Sequence, residues 1–386
     1  MINKELLKIE KENVFSKVTL KLNEYKKANK DKKIISLGIG DVSCPVVKPI
    51  LEAMHKAVDD LSDINTFNGY GAYYGLSKLR EAISINDYDG LISEDEIYVG
   101  DGTKSDSTNI LELFDINSKV LVGNPTYPIY LNGSLALSRK VYFSKMSKDF
   151  KMLVPSERYD IIYICSPSNP IGIAYTRKDL EKWVDYANNN KSIIIYDNVY
   201  KDFVSSDDVP KTIYEIEGAK KCVIELRSFS KNASFSGVRV SYMVLPKDMG
   251  NDLTALWKER TINRFNGASV IAQKGAIASF DKEAKTLIEN NIKTYKENIK
   301  YLKDNFEKLG YEVIGGIDAP YMFVKCKDGM SSWETFDFFL KELNIVIIPG
   351  CIFGSNGEGY FRVSGLGLIK DSKEAILRIK EYEKTH

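Results

Sequence analysis

The chain has 386 residues, 44% hydrophobic and 28% charged, which is enough for substantial buried cores in two domains. Lys plus Arg number 54 against 53 for Asp plus Glu, so no net field draws nucleic acid or an anionic membrane. Residues 1–5 lack the apolar core of a signal peptide, no run approaches a membrane span, and the five scattered cysteines form no C-x-x-C pair, so the expectation is a cytoplasmic protein with reduced thiols.

Amphipathic spacing over 51–58 predicts a helix that carries His55 on its surface. The other histidine is His386, so a zinc cluster or a Ser-His-Asp triad would rest on His55 alone, and no metal site is expected. Short apolar runs predict strands at 96–99, 119–122, 160–165, 192–196, 222–226 and 238–245, with helical patterns between them, as at 103–114 and 177–188. Runs without strict alternation imply strands covered on both faces, and alternation with helices implies a mostly parallel sheet of the doubly wound α/β type. From about residue 282 the pattern changes. A long amphipathic helix is predicted over 285–309, then strands at 321–325, 346–348 and 360–363 with helices at 332–343 and 372–383. The expected division is a large α/β domain over 45–281 and a smaller α+β domain made of 1–44 and 282–386.

Open α/β sheets place ligands at the carboxyl ends of their strands. The predicted strand 160–165 runs into Ser166-Pro167-Ser168-Asn169-Pro170, 192–196 runs into Asp197, and 222–226 runs into Ser228 and Lys231. Singly these are ordinary: an Asn-Pro turn, an aspartate cap, a solvated lysine. Together, with Tyr200 and Arg239, they supply what an aldehyde cofactor held as a lysine Schiff base requires: an amide, a carboxylate, a phenol and a phosphate-binding arginine. The strand 96–99 also leads into Gly100-Asp101-Gly102-Thr103-Lys104 and a helix, a turn whose amides face an anion.

This set resembles the fold-type I enzymes that use pyridoxal 5′-phosphate, and within them the LL-diaminopimelate aminotransferases. The shared stretches span the chain: 37–42, 66–71, Ser228-Phe229-Ser230-Lys231, Phe265-Asn266-Gly267-Ala268-Ser269, Ala319-Pro320-Tyr321, 329–334 and Gly357-Glu358-Gly359-Tyr360-Phe361-Arg362. The resemblance implies that Lys231 carries the cofactor and shuttles the substrate proton, while Asp197 keeps the pyridine nitrogen protonated. It implies that Tyr200 and Asn169 donate to the ring oxygen and that Tyr127 stacks on the ring. Gly102, Thr103, Lys104, Ser228 and Arg239 would hold the phosphate, joined by Tyr70 from the neighbouring subunit of a homodimer. Arg362 would grip the substrate α-carboxylate, with Asn169, Gly40, Tyr73, Tyr74 and Asn13 lining the substrate side.

The chain departs from the family pattern on that side. Where the family reads Gly-Tyr-Gly-Pro-Glu-Gln-Gly, with the glutamate meeting the distal end of diaminopimelate, this chain reads Gly69-Tyr70-Gly71-Ala72-Tyr73-Tyr74-Gly75. The family's Tyr-Leu-Phe is Asn13-Val14-Phe15. A buried ammonium without a charged partner costs several kcal/mol (order of magnitude). The expected substrate is therefore an altered L-amino acid, with an aromatic or guanidinium side chain facing the tyrosines, transaminated in ping-pong with a 2-oxo acid such as 2-oxoglutarate. The competing expectation is elimination, replacement or cyclisation of a β/γ-substituted, hydroxyarginine-like amino acid on the same cofactor.

Overall fold

Runs such as Ile161-Ile162-Tyr163-Ile164 and Ile193-Ile194-Ile195-Tyr196 are β-branched and aromatic with no polar alternation, as strands need when both faces are covered. A computed structural model of the chain describes residues 2, 4–11, 14–38, 40–67 and 69–385, so the predicted substrate residue Asn13 lies outside the described residues. After a short β1 (Ile35–Ser36) come β2 (Ile97–Gly100), β3 (Val120–Val122), β4 (Val141–Phe143), β5 (Ile161–Cys165), β6 (Ile193–Asp197), β7 (Val223–Ser228) and β8 (Ser241–Val244). They form one seven-stranded sheet in the order β2-β8-β7-β6-β5-β3-β4, from which β1 is separate. Neighbours from β7 through β4 are parallel, and β8 runs antiparallel to both β7 and β2.

Helices cover the sheet. Arg177–Asn190 opens with a reciprocal Thr176–Asp179 capping box and ends at Lys191 in the left-handed conformation. The apolar side chains beneath it, Leu180, Trp183, Val184 and Ala187, fall at helical spacing and join the core under β5, β6 and β7.

The second sheet is built from β9 (Val313–Gly315), β10 (Tyr321–Lys325), β12 (Ile348–Pro349) and β13 (Tyr360–Ser364), in the antiparallel order β12-β13-β10-β9, while β11 (Ile345–Val346) pairs in parallel with β1. Its buried core draws on residues 18–37 and 299–379, with Ile171 reaching in from the turn after β5. The helix Lys282–Lys308 runs between the two regions, burying Ile292, Tyr295, Ile299, Leu302 and Phe306 along one stripe.

Three expectations are adjusted, and one strand goes unread. The run 238–245 is a strand only over β8, because Arg239 before it takes a positive φ of 69° in a turn. The helix 103–114 is α-helical to Asn109 and continues as a 3₁₀ turn over Ile110–Leu113. The strand 346–348 divides at Ile347, sending β11 to one sheet and β12 to another. The half-exposed β4 carries too weak a pattern to be read beforehand. Among the described residues no helix is long and apolar enough to cross a membrane.

Candidate active site

Register across the large sheet brings the chemistry together. Cys165 and Asp197 are Cα partners on β5 and β6, so both side chains leave the same face where the strands end. On the other side, Gly100, Ser241 and Ser228 pair in a row across β2, β8 and β7. A cleft of about 480 Å³ opens over these ends, and its walls include Lys231, Asp197, Tyr200, Asn169, Tyr127 and Arg362.

Asp197 is buried, and its Oδ2 accepts a 2.5 Å hydrogen bond from the Tyr130 hydroxyl. Its Oδ1 is buried with no protein partner. Burial raises this carboxyl to about 6, partly offset by the hydrogen bonds from Tyr130 and the Val199 amide. A buried acceptor without a donor is costly unless a ligand supplies one. The residue after it is anchored behind the sheet, where Asn198 Nδ2 donates to Glu225 Oε1 at 2.8 Å and Glu225 pairs with Arg227 at 3.1 Å.

Tyr200 shares a 3.2 Å hydroxyl contact with Tyr321. Burial, and then the Tyr321 hydroxyl, push the Tyr200 phenol well above its ordinary range, so it stays protonated and able to donate. Lys231 Nζ donates to the Gly40 carbonyl at 2.5 Å. Arg362 Nη1 donates to Asn169 Oδ1 at 2.8 Å and Nη2 to the Gly38 carbonyl at 2.9 Å. Its guanidinium lies 4.5 Å from the Tyr321 ring centroid, and Nε is buried without a partner. With Oδ1 taken, the Asn169 amide keeps its NH₂ end for a ligand.

At the opposite end, β2 turns through Gly102 into the helix Thr103–Asn109. Gly102 has φ 141°, and a Cβ there would lie 1.8 Å from Arg239 Nη2, so only glycine lets the guanidinium rest on the turn. Ser228 Oγ bonds Ser230 Oγ at 2.8 Å beside it. The cleft therefore has an amide-and-guanidinium end, a lysine and a buried carboxylate on its walls, and a second arginine, Arg362, which is buried.

Comparison with known proteins decides what this cleft belongs to. The family model described as aminotransferase class I and II matches residues 32–379. The chain belongs to the class I and II aminotransferases. It is 42% identical over 399 residues to an LL-diaminopimelate aminotransferase of Agathobacter rectalis, covering 98% of this chain and 99% of that one. It is 39% identical to the enzyme of that name from Prochlorococcus marinus, covering 98% of each. The solved L,L-diaminopimelate aminotransferase from Chlamydomonas reinhardtii superposes with a TM-score of 0.90 at 38% identity, covering 95% of each chain. The resemblance read from the motifs and the fold-type I α/β architecture are therefore both right, and the protein is a pyridoxal phosphate-dependent transferase.

The residues fit this aminotransferase cofactor. The unpartnered Asp197 Oδ1 suits a protonated ring nitrogen, and the turn under Arg239 suits a phosphate. Thr103, Lys104, Tyr127, Ser228, Arg239 and Gly40 also line the cleft. Gly102 touches it only through Arg239, and its own N–H is taken by Ser241 Oγ at 2.8 Å. Tyr70 stands 87% exposed, pointing away from its own chain. Tyr73 lines a neighbouring cleft with Asp101, Lys104 and Arg260. Tyr74 packs edge-on against Tyr98 at 5.7 Å, within its own subunit and away from the cofactor cleft. Expectation placed it on the substrate side with Tyr73, and Tyr98, on which it packs, lines the same neighbouring cleft as Tyr73.

Tyr130 and Tyr321 were not singled out from sequence. Tyr130 lies one helical turn after Tyr127, in Pro128–Ala136, and that i, i+3 spacing was the available signal.

Proposed function

We propose that this aminotransferase acts on an L-amino acid other than, or besides, LL-diaminopimelate, with an aromatic or guanidinium side chain, and that a 2-oxo acid such as 2-oxoglutarate is its acceptor. The observation that carries the proposal is Tyr73, a half-exposed phenol on 69–75 where the family pattern has a glutamate. No carboxylate is offered at that position to a distal ammonium, whereas a phenol ring suits a flat apolar or cationic group.

Pyridoxal phosphate supplies the electron sink that acidifies the amino acid's Cα–H bond. Lys231 would hold it covalently and, when displaced by the substrate amine, take the Cα proton and return it on the other side of the reaction. Asp197 would hold the proton on the ring nitrogen. The Tyr200 hydroxyl and Asn169 NH₂ would donate to the ring oxygen, and Tyr127 would lie against the ring. Thr103, Lys104, Ser228 and Arg239 would hold the phosphate. Arg362, whose Nη atoms each keep a second N–H, would hold the α-carboxylate from the smaller domain, taken as 1–44 with 282–386 packed on 45–281.

A homodimer would complete the site. Leu61, Ile64, Phe67, Tyr70 and Tyr73 are exposed within one stretch, an apolar run that favours cover by a second copy carrying Tyr70 and Tyr73 to the neighbouring cleft.

The test is to incubate the purified holoenzyme with single L-amino acids, with and without 2-oxoglutarate, and to identify products by mass. Glutamate formed together with an aromatic or guanidino 2-oxo acid supports the proposal. Efficient turnover of LL-diaminopimelate alone refutes the altered substrate, and a cyclic or dehydrated amino acid formed without any keto acid refutes transamination. Lys231→Ala should lose turnover by ~10³-fold or more, and retained activity removes Lys231 from its role.

A further inference from the structure

Ser241 is fully buried at the start of β8, between its Cα partners Gly100 and Ser228. Its hydroxyl donates to Asp106 Oδ2 at 2.6 Å and accepts the Gly102 N–H at 2.8 Å. A hydroxyl has one proton, and once the carboxylate has taken it Ser241 can only accept from Gly102. Asp106 reaches this position by folding back over the turn that β2 enters. It has room because Gly100 has no side chain: a Cβ there would sit 2.5 Å from Asp106 Oδ1. The other charged groups near this carboxylate are Asp101 on the turn, Arg260 on the helix Asn251–Arg264, and Arg239.

We propose that Asp106 and Ser241 are positioning residues for the cofactor phosphate. By holding the Gly102 N–H inward, they aim the next two helix-start amides, those of Thr103 and Lys104, into the cleft and keep the Gly102 face bare for Arg239. The first amides of a helix have no partner within it, so Thr103 and Lys104 are the donors the turn can offer an anion. The carboxylate sits behind the turn and is not among the walls of the cofactor cleft, so its role is indirect. The inference rests on reading 103–104 with Arg239 as the phosphate cradle.

The experiment titrates the apoprotein with pyridoxal phosphate and, separately, with pyridoxal, which lacks the phosphate, following the visible absorbance of the bound cofactor. Ser241→Ala should weaken pyridoxal phosphate by about tenfold or more and pyridoxal by less than about twofold. Asp106→Ala should do the same, and Asp106→Asn, which keeps an oxygen acceptor for Ser241, should recover most of the loss. A merely structural pair would weaken both cofactors alike. Arg239→Ala separates the two ideas. A phosphate-selective loss there, with none in Ser241→Ala, overturns the positioning pair and leaves the cradle standing. Equal losses of both cofactors in Arg239→Ala overturn the cradle and the inference with it. If Asp106→Ala fails to fold, Ser241→Ala and Asp106→Asn still decide the outcome.

Discussion

The Tyr130 hydroxyl donates to Asp197 Oδ2 while Asp197 Oδ1 has no protein partner, so the carboxylate is tethered on one oxygen and free on the other. The tether fixes which oxygen meets the cofactor ring. Rings stack beneath it, with Tyr130 and Tyr163 at 4.8 Å and 16°, and the Tyr163 hydroxyl donates to the Ser107 carbonyl at 2.5 Å.

Tyr130→Phe should keep that stack and remove only the donor. Burial then raises the Asp197 carboxyl further, because a hydrogen bond that lowered it is gone. The expected result is kcat lower by about tenfold, with cofactor binding weakened by a similar factor and KM for the amino acid unchanged. Steady-state kinetics and a cofactor titration check this. A change confined to KM would remove Tyr130 from its place behind Asp197.

Arg362 joins the four-stranded sheet to the seven-stranded one, since it leaves β13 and meets Asn169 on the turn after β5. Lysine has one point charge and no fork, so Arg362→Lys cannot keep Asn169, Gly38 and a carboxylate together. KM for amino acids should rise by ~10²-fold, corresponding to about 3 kcal/mol, with the visible spectrum of the bound cofactor unchanged. An amine substrate lacking the α-carboxylate should lose much less. Equal loss for both would make Arg362 a structural link rather than a substrate ligand.

Much of this site was legible because its residues follow strands with strong patterns. Asp197 and Asn169 follow continuous apolar runs and Lys231 follows the strand that ends at Ser228, and such strand exits gather at one edge of the sheet. Legibility failed where the decisive contact depends on register or on which way a side chain turns. β8 reads as one more parallel strand, and nothing in its residues announces that it runs antiparallel and sets Ser241 between Gly100 and Ser228. Asp106 looks like an ordinary helix residue until Gly100 is seen to leave space for it. Tyr73 and Tyr74 are adjacent and identical in sequence, yet one is open to solvent and the other is packed on Tyr98.

Asp106 gives a pH dependence whose sign can be worked out. Burial raises its carboxyl to about 7, so the folded chain binds a proton there that the unfolded chain has released above about 4. The unfolded state therefore carries fewer protons at this site between those values, and stability falls as pH rises from about 4 to about 7. Asp106→Asn removes that fall. Measured by calorimetry on the apoprotein, its Tm relative to the parent should climb across this window and level off above pH 7. A Tm difference constant with pH would mean that the carboxyl titrates at its ordinary value.

Tyr73 tests substrate choice at a single position. It shares its cleft with Lys104, Arg260 and Arg264, which outnumber the carboxylates Asp101 and Asp106 there, so a carboxylate placed at this position meets nearby cations. Tyr73→Glu should therefore raise kcat/KM for LL-diaminopimelate by about tenfold or more, because the distal ammonium gains a charged acceptor. It should lower kcat/KM for the aromatic or guanidino substrate, by about threefold to tenfold if a ring contact is lost. Both substrates are compared on the same holoenzyme preparation, with the cofactor spectrum as a control for an undisturbed ring site. If neither ratio moves, Tyr73 lies outside the reach of the substrate, and the departure from the family pattern on 69–75 has no bearing on what the enzyme transaminates.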